Sequence, residues 1–406
     1  MKKAIVLAGG FDQIALIDEL KMRGFEVALI DYYENPPAKD SANRHYFGST
    51  LDLDFVRKVA RKENPDLITT ACTDQALMTA ASISEELGLP CYIDANTARN
   101  VTNKSYMKNV FMKCNIPTSK YSAVKSLEDL DIIELKFPVM VKPADCNSSK
   151  GVKKAIDTVQ LREYVKDALN LSRTNTAILE EFKRGREYSA DFFIKGGKTT
   201  LLSVTESKKI PDNGAFTIAQ SLYPVVDSCQ FEAIERIGSK IADAFQLKNS
   251  PMLVQLIEEE GEFFVLEFSA RMGGGSKYKL IEILSGVNIM SEYVNLITGI
   301  TPTISPIKSD KFVEVDYLYC TPGNYSENIG IETLKKNKVI DYFFQYKTMP
   351  SIIEQALTSG DRIGGIVLSG KSKKDLELKR ERFNSNFKAL DDKGTDIFNH
   401  ELFRKI

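Results

Sequence analysis

Apolar runs and helix-spaced apolar positions alternate along the first hundred residues. The Gly9-Gly10 pair opens a helical pattern that lasts to Gly24, and a second helix ends near Leu87. Strands separated by helices favour a parallel sheet with both faces covered. We therefore predict a Rossmann-like domain over residues 1–100. Its predicted strands are residues 4–8, 27–30, 67–70 and 91–93.

The middle of the chain changes to strands joined mainly by short turns. Helices are predicted at residues 100–115 and 230–245, and a small polar loop lies at residues 145–151. Such a loop can offer backbone N–H groups, hydroxyls and a cation to phosphates. The predicted strands are residues 137–143, 176–179 and 188–194 and the two arms of a hairpin at 252–275.

The hairpin carries a polar pattern on its second arm. Strand side chains alternate between faces, and a tight Glu-Gly turn sets Gln255 opposite Glu267. Alternation puts Phe264, Leu266 and Phe268 on one face and Phe263, Val265, Glu267, Ser269 and Arg271 on the other. A carboxylate in an apolar strand needs a cation or a donor. An ion pair between Glu267 and Arg271 that only stabilises the hairpin is one reading, and a site beside Gly273-Gly274-Gly275 is the other.

The last hundred residues have a different character. A strand is predicted at residues 312–319, a helix at 331–336 and a strand at 364–370. A highly charged helix at residues 371–388 completes the pattern of a solvated cap. We expect a small α+β domain over residues 306–406.

Composition narrows the class of protein. The 406 residues exceed one compact core, and 43% hydrophobic with 27% charged residues is typical of a soluble globular protein. A net charge of −1 argues against a general nucleic-acid binder. No apolar run approaches the roughly 20 residues that span a bilayer, and the apolar start is too short for a signal peptide. Six scattered cysteines without Cys-x-x-Cys spacing suit a reducing, cytoplasmic setting.

Two further patterns limit the chemistry. Only two histidines, His45 and His400, are present, which argues against a histidine triad or a multi-histidine zinc site. The first turn reads Ala8-Gly9-Gly10-Phe11-Asp12-Gln13 and lacks the Gly-x-Gly-x-x-Gly pattern, so a nicotinamide cofactor is disfavoured. Asp74 and Gln75 follow a strand's carboxyl end, where open α/β sheets bind ligands; a helix cap is the alternative.

Taken in order, these segments resemble the ATP-grasp superfamily, and the N-terminal region resembles the domain that precedes ATP-grasp in biotin carboxylase and carbamoyl-phosphate synthetase. The resemblance implies an ATP-grasp domain over residues 101–305 with a mobile lid subdomain at about 118–186. The segments that carry it are Asn103-Lys104, Phe137-Pro138-Val139-Met140-Val141-Lys142-Pro143, Glu180-Glu181-Phe182 and Glu267-Phe268-Ser269-Ala270-Arg271.

The resemblance implies a nucleotide site. Lysines would hold the phosphates, the 145–151 loop would close over them, Glu180 and the backbone at 181–183 would face adenine, and Glu187 would face the ribose. Met140 and Leu266 would pack on the base, although alternation turns Leu266 away from Glu267. The implied residues are Lys104, Met140, Lys142, Ser148, Ser149, Lys150, Glu180, Glu181, Phe182, Lys183, Glu187 and Leu266.

The resemblance also implies a reaction centre. Glu267 would ligate Mg²⁺, with Mn²⁺ as an alternative, and Arg271 would meet the transferred phosphoryl group together with Lys208 or Lys209. The other metal positions depart from the commonest family pattern, because Gln255 stands for a carboxylate and Ser269 for an asparagine. Substrate contacts are expected from Asp74, Gln75, Gly273, Gly274 and Gly275.

The activity implied is that of a carboxylate–amine ligase of the amino-acid or peptide type. ATP would phosphorylate a carboxylate, and the acyl phosphate would then meet an amine. The alternatives are a purine-pathway or carbamoyl-phosphate synthetase-like enzyme and a catalytically silent ATP-binding protein. We expect small-molecule partners, no nucleic acid and no membrane; a homodimer stays open, and the sequence names neither co-substrate.

Overall fold

The computed structural model describes residues 1–132, 134–146, 150–210, 216–354 and 358–406. Its first region confirms the predicted parallel sheet. The strands are β1 (Lys2–Leu7), β2 (Phe25–Asp31), β3 (Arg44–Phe47) and β4 (Leu67–Thr69), in the order β3-β2-β1-β4. The helices are α1 (Asp12–Met22), α2 (Leu53–Glu63), α3 (Asp74–Leu87) and α4 (Ala95–Val101).

The predicted strand at residues 91–93 is wrong. These residues have no strand partner, and Tyr92 instead joins the first region to later parts of the chain. The Tyr92 ring lies 5.5 Å from that of Tyr293, and its hydroxyl donates to the Ala270 carbonyl at 2.8 Å. Three apolar residues in a loop can therefore pack two regions of the chain together without forming a strand.

A second unit contains a four-stranded antiparallel sheet with its own core. The helix α5 (Lys104–Lys113) leads to it, so the predicted helix at residues 100–115 is divided between α4 and α5. The core includes Val139, Val141, Val165 and Leu179. The elements are β5 (Tyr121–Val124), β6 (Val139–Pro143), β7 (Lys153–Ala155), α6 (Thr158–Leu171) and β8 (Ala177–Glu181), with strand order β5-β8-β6-β7. We call this unit the lid; its boundaries at 118 and 186 stay predictions.

The rest of the chain supplies one large antiparallel sheet and a smaller one. Between residues 186 and 318 lie β9 (Arg186–Lys195), β10 (Lys198–Lys209), β11 (Ile218–Tyr223), α7 (Ser228–Ala244), β12 (Ser250–Glu259), β13 (Glu262–Ser269), α8 (Lys277–Ser285), α9 (Ile289–Ile297) and β14 (Phe312–Leu318). After them come β15 (Gly323–Ile329), α10 (Ile331–Lys336), β16 (Tyr342–Gln345), β17 (Ser351–Ile353), β18 (Gly364–Gly370), α11 (Lys373–Asn386), β19 (Lys388–Asp391) and α12 (His400–Lys405).

The large sheet crosses the predicted boundary at residue 306. Its order is β13-β12-β9-β10-β11-β14-β18-β16, so three strands from the last hundred residues extend the sheet that begins at β9. The smaller sheet has the order β17-β15-β19. The charged helix α11 buries Leu376 and Phe383, so it covers a core as well as facing solvent.

Among the described residues, no single helix is long and apolar enough to cross a membrane. The helices α8 and α9 satisfy length and hydropathy only when they are counted together, and they meet at 108°. Both contribute buried side chains to the protein's cores, including Leu280 and Tyr293.

Candidate active site

The hairpin formed by β12 and β13 positions the central polar residues. Glu260 and Gly261 form its turn with φ values of 54° and 86°, the conformation that tight hairpins favour. Gln255 lies opposite Glu267, as predicted. The pairing then shifts, because Leu256 lies opposite Val265 and leaves Leu266 as one extra residue.

This β-bulge at Leu266 changes which side chains share a face. Burial alternates through Phe263 and Val265 and then resumes, one residue out of step, at Phe268 and Ala270. Two residues of a bulge face a single partner, which breaks simple alternation. The predicted grouping of Phe268 with Leu266 is therefore wrong. The other face carries Phe264, Leu266, Glu267, Ser269 and Arg271, all partly exposed.

Glu267 is joined to the lid through Lys104. The Lys104 ammonium lies 3.4 Å from the Glu267 carboxylate and donates to the Cys146 carbonyl at 2.7 Å. The Lys104 backbone N–H also donates to the Ala144 carbonyl at 3.1 Å. The Glu267 side chain is 39% exposed, so much of this carboxylate remains accessible.

Glu180 binds two lysines at the edge of the lid. Its carboxylate lies 2.9 Å from Lys142 Nζ and 3.1 Å from Lys108 Nζ. Burial raises the pKa of Glu180, but the two ammonium groups outweigh it and lower the pKa to about 2. Lys108 is almost fully buried and also contacts Thr118 and the Val265 carbonyl. We did not predict Lys108, although it lies one helical turn after Lys104.

Arg271 is paired with the first region. Its guanidinium donates to both carboxylate oxygens of Asp74, with Nε at 2.9 Å from Oδ1, and to the Met272 carbonyl at 2.7 Å. The Ser269 hydroxyl is close enough to Asp74 to help lower its pKa. Burial raises the pKa of Asp74, and the Arg271 charge brings it below its usual value. The reading of a mutual Glu267–Arg271 pair is therefore wrong, since each residue has another partner.

The residues expected around adenine and ribose lie along the edge between lid and sheet. Glu187 is ion-paired with Lys209, whereas Lys208 pairs with Glu206 at 2.7 Å. Lys183 bonds Glu259 at 2.7 Å, with its ammonium 3.9 Å from the centroid of the Phe264 ring. These contacts bring Glu187, Lys209 and Lys183 to one edge of the cleft.

The backbone beyond β8 is only partly engaged. The N–H groups of Glu181 and Phe182 donate to the Lys120 and Pro138 carbonyls, each at 3.0 Å. Within the described ranges, the Lys183 N–H has no protein acceptor.

The remaining predicted nucleotide and substrate positions are spread over the lid and its junction. Met140 is buried in β6, Lys150 is exposed, and Gln75 reaches the Asp145 carbonyl at 3.4 Å. The predictions for Ser148 and Ser149 fall outside the described residues.

The glycine turn before α8 meets a carboxylate of the first region. Asp12 accepts hydrogen bonds from the Gly275 N–H at 3.0 Å and the Ser276 N–H at 2.8 Å. Burial raises the pKa of Asp12. Gly275 has φ 70°, and an added Cβ would lie 2.7 Å from the Tyr317 hydroxyl, so only glycine fits there. We predicted Gly273, Gly274 and Gly275 but not Asp12, whose only sequence signal is its place after Gly9-Gly10.

A second guanidinium faces this turn from the last hundred residues. Arg362 donates to the Tyr319 hydroxyl at 3.1 Å and to the Ile218 carbonyl, and it lies 3.7 Å from the centroid of the Tyr317 ring. Tyr317 in turn donates to the Gly275 carbonyl at 3.1 Å. Among the described residues, no carboxylate forms an ion pair with Arg362, and no sequence pattern had singled it out.

The donor set at Glu267 fits Mg²⁺ bound together with nucleotide phosphates. Mg²⁺ takes one or two protein oxygens and completes its shell with water and phosphate oxygens. Glu267 supplies an accessible carboxylate, and Gln255 lies directly opposite it in β12. Within the described ranges, no group of three or more His, Cys, Asp or Glu side chains could hold a metal by itself.

Similarity to solved structures extends over nearly the whole chain. An L-amino acid ligase from Bacillus licheniformis matches 96% of this chain and 99% of its own, with a TM-score of 0.79 and 19% identity. The biotin carboxylase domain of a Hydrogenobacter thermophilus 2-oxoglutarate carboxylase, solved as a dimer with MgADP, ADP and bicarbonate, matches 99% of this chain and 92% of its own, with a TM-score of 0.80 and 15% identity. At these identities the likeness establishes the fold.

Sequence comparison identifies a domain in the middle of the chain. A formate-dependent phosphoribosylglycinamide formyltransferase from Prochlorococcus marinus is 30% identical over 186 residues, 45% of this chain and 47% of the relative. The chain spans about half the length of the curated relatives it matches. Residues 102–275 match the family model of the phosphoribosylglycinamide synthetase ATP-grasp (A) domain. Residues 102–275 of this chain therefore contain an ATP-grasp domain.

Proposed function

We propose that this chain is an ATP- and Mg²⁺-dependent ligase that phosphorylates a carboxylate and joins the acyl phosphate to an amine. The observation that carries the proposal is the convergence of three cations with one accessible carboxylate between lid and sheet. Lys104 is ion-paired with Glu267, and Lys142 and Arg271 are both close enough for the Glu267 charge to act on their pKa values. Such groups stabilise the charge that develops on a phosphoryl group in flight.

Lys104 and Lys142 bind the nucleotide phosphates in this proposal. Lys104 contacts the lid through both its side chain and its backbone. The strength of phosphate binding at Lys104 therefore depends on the position of the lid. Lys142 is held by the ionised Glu180, which supports its charge although it is largely buried. The free Lys183 N–H suits an adenine nitrogen, and the Leu266 side chain faces the same cleft as Glu267.

Glu267 and Gln255 would hold Mg²⁺. When bound, the ion would neutralise phosphate charge and polarise the transferred group. The Ser269 hydroxyl lies near Asp74, and its oxygen could serve as a further ligand beside Glu267. The chain's own contribution is to fix Arg271: Asp74 holds one edge of the guanidinium fork and leaves other N–H groups for the transferred phosphoryl oxygens.

We propose an amino-acid or peptide type of ligation as the first candidate. The L-amino acid ligase from Bacillus licheniformis shares the arrangement of nearly the whole chain, which supports this choice. The purine-pathway alternative draws support from the curated relatives, whose names specify formate-dependent phosphoribosylglycinamide formyltransferase. Arg362, which has no carboxylate partner among the described residues, favours in either case a co-substrate with an anionic group.

We further propose a cytoplasmic enzyme that acts on small molecules and forms a homodimer. All six cysteines are free thiols, which agrees with a reducing compartment. The dimeric biotin carboxylase domain supports the assembly. Light scattering of the purified chain distinguishes monomer from dimer.

The test of the activity is a screen for ADP release and for trapping by hydroxylamine. Formate, acetate and the twenty amino acids are offered with Mg–ATP, because hydroxylamine converts an acyl phosphate to a hydroxamate. The proposal predicts hydroxamate with at least one carboxylate, lost in Glu267→Gln and kept in Glu262→Gln, which changes the exposed first residue of β13. ATP binding without ADP or hydroxamate for every carboxylate would instead favour a silent ATP-binding protein.

A further inference from the structure

The glycine turn at residues 273–275 is bordered by carboxylates from two regions of the chain. Asp12 lies at the start of α1 and is held by the two N–H groups that open α8. Burial raises the pKa of Asp12, and the nearby Arg271 charge offsets part of that rise. Asp12, Asp74 and Asp191 therefore share the surroundings of the turn with the cations Arg271, Lys277 and Arg362.

Gly274 lies at an open notch in this turn. It is the exposed member of the three glycines. A Cβ added to it would lie 3.6 Å from Asp12 Oδ2, 3.8 Å from the Cys72 carbonyl oxygen and 3.9 Å from Cys72 Cβ. Two oxygen acceptors therefore converge on the space that a side chain at 274 would fill.

A third carboxylate approaches the turn from the sheet. Asp191 in β9 is 1% exposed, and its Oδ2 accepts from Ser203 at 2.9 Å. Its other oxygen, Oδ1, has no hydrogen-bond partner among the described residues, and it lies 3.1 Å from the position of a Cβ at Gly273. An unpartnered buried carboxylate oxygen aimed at the turn is costly unless a donor or a cation satisfies the site.

We propose that the notch at Gly274 is the subsite for the amine co-substrate, which enters as an ammonium ion and is bound by Asp12 Oδ2 and the Cys72 carbonyl. The inference rests on the proposed ligase function. An ammonium group has three donors and no acceptor, which matches this set of oxygens. The two oxygens select a positively charged group at the notch itself, whereas an anionic group elsewhere on the co-substrate would face Arg362.

The subsite also accounts for the proton that the amine must lose. Asp12 accepts one proton from the ammonium group, which leaves a neutral amine with a lone pair. The lone pair forms the C–N bond to the acyl carbon, and the C–O bond to phosphate breaks with its electron pair leaving on phosphate. The second proton of the nitrogen leaves with the phosphate group or to solvent, and the amide remains.

The test uses two changes with matched controls. Gly274→Ala fills the notch at ordinary contact distances, and Gly10→Ala adds the same methyl where nothing lies within 4 Å. Asp12→Asn removes the charge, and Asp18→Asn makes the same change on the exposed side of α1. The carboxylate substrate that the hydroxylamine screen identifies is then supplied together with amines. The KM of each amine is measured for every variant, and the rate of hydroxamate formation is measured separately. Hydroxylamine is largely uncharged near neutral pH and needs no ammonium subsite.

We expect Gly274→Ala and Asp12→Asn to raise the KM for the amine by a factor on the order of ten or more. ATP affinity should stay within about twofold of the parent chain, hydroxamate formation should fall by a smaller factor than the amine reaction does, and both controls should match the parent chain. An unchanged amine KM in folded Gly274→Ala overturns the subsite while the ligase function stands. Absence of hydroxamate in the parent chain overturns the function itself and the subsite with it.

Discussion

Each charged group at the centre of the cleft has its own partner. Arg271 is held by Asp74, Glu267 by Lys104, and Glu180 by two lysines. Because these pairs join α3, α5, the lid and β13, a change at one residue acts on the position of another element. The separate partners also mean that charge and position can be tested one residue at a time.

Replacing Lys142 by alanine should weaken ATP binding. The side chain supplies a positive charge beside the cleft, and one charge-assisted contact is worth about 1.5–3 kcal/mol, roughly a tenfold to hundredfold change in Kd. Titration calorimetry with a non-hydrolysable ATP analogue measures the effect. Lys166→Ala, an exposed change on α6, is the control, and equal affinity of both variants would remove Lys142 from the site.

Glu180 should contribute a pH-dependent part of the stability. Its folded pKa of about 2 lies below the usual 4.5, so the ionised carboxylate stabilises the fold above pH 4.5 and this contribution is lost as the pH falls towards 2. Glu180→Gln should lower the unfolding free energy at neutral pH and flatten its decline in acid. Urea unfolding at several pH values measures this, with Glu262→Gln as the exposed control. A parallel decline in both variants would contradict the assignment.

At the scale of elements, the regular strands and the hairpin could be predicted from the sequence, whereas the β-bulge at Leu266 could not. The parallel strands and the hairpin follow from apolar runs, turn residues and spacing. The bulge at Leu266 depends on how β13 pairs with β12, so alternation alone assigned Phe268 to the wrong face. The family resemblance implies that Leu266 packs on the base, which simple alternation did not allow. The bulge explains how Leu266 and Glu267 can lie on the same face.

The bulge predicts that alanine substitutions of Phe268 and Leu266 have different effects. Phe268 is buried with Phe111 and Phe245, so Phe268→Ala should lower the unfolding free energy by about 3–5 kcal/mol. Leu266→Ala should cost less than half of that and should weaken ATP binding instead. Denaturant unfolding and calorimetry on both variants separate the effects. Equal losses of stability with unchanged ATP affinity would restore the regular alternation.

At the scale of the whole molecule, the long-range contacts lay beyond sequence analysis. Asp12 and Gly275 are separated by 263 positions, and no local pattern links them. The same holds for Arg362 against Tyr317, and for Asp74 against Arg271. The parallel sheet of the first hundred residues was accessible from element types, whereas the sharing of one sheet across residue 306 was visible only in the fold.

A chain ending at residue 305 should not fold to a stable monomer. It would lose β14, the partner of β11, and would expose Ala219, Leu280 and Leu284, which pack against β14 in one core. An unpaired edge beside exposed apolar surface favours aggregation. Size-exclusion chromatography and thermal unfolding monitor the outcome. A monomer with a cooperative transition would instead support an independent domain boundary near 306.

The central claim is that a carboxylate oxygen accepts the γ-phosphoryl group of ATP. The most direct measurement follows oxygen-18 from the labelled carboxylate, taken from the hydroxylamine screen, into the phosphate released with ADP. The account predicts one labelled oxygen in each phosphate formed with the complete set of substrates, and none when Glu267→Gln abolishes turnover. Unlabelled phosphate at full turnover, or release of AMP and pyrophosphate, would contradict the acyl phosphate and the ligase account built on it.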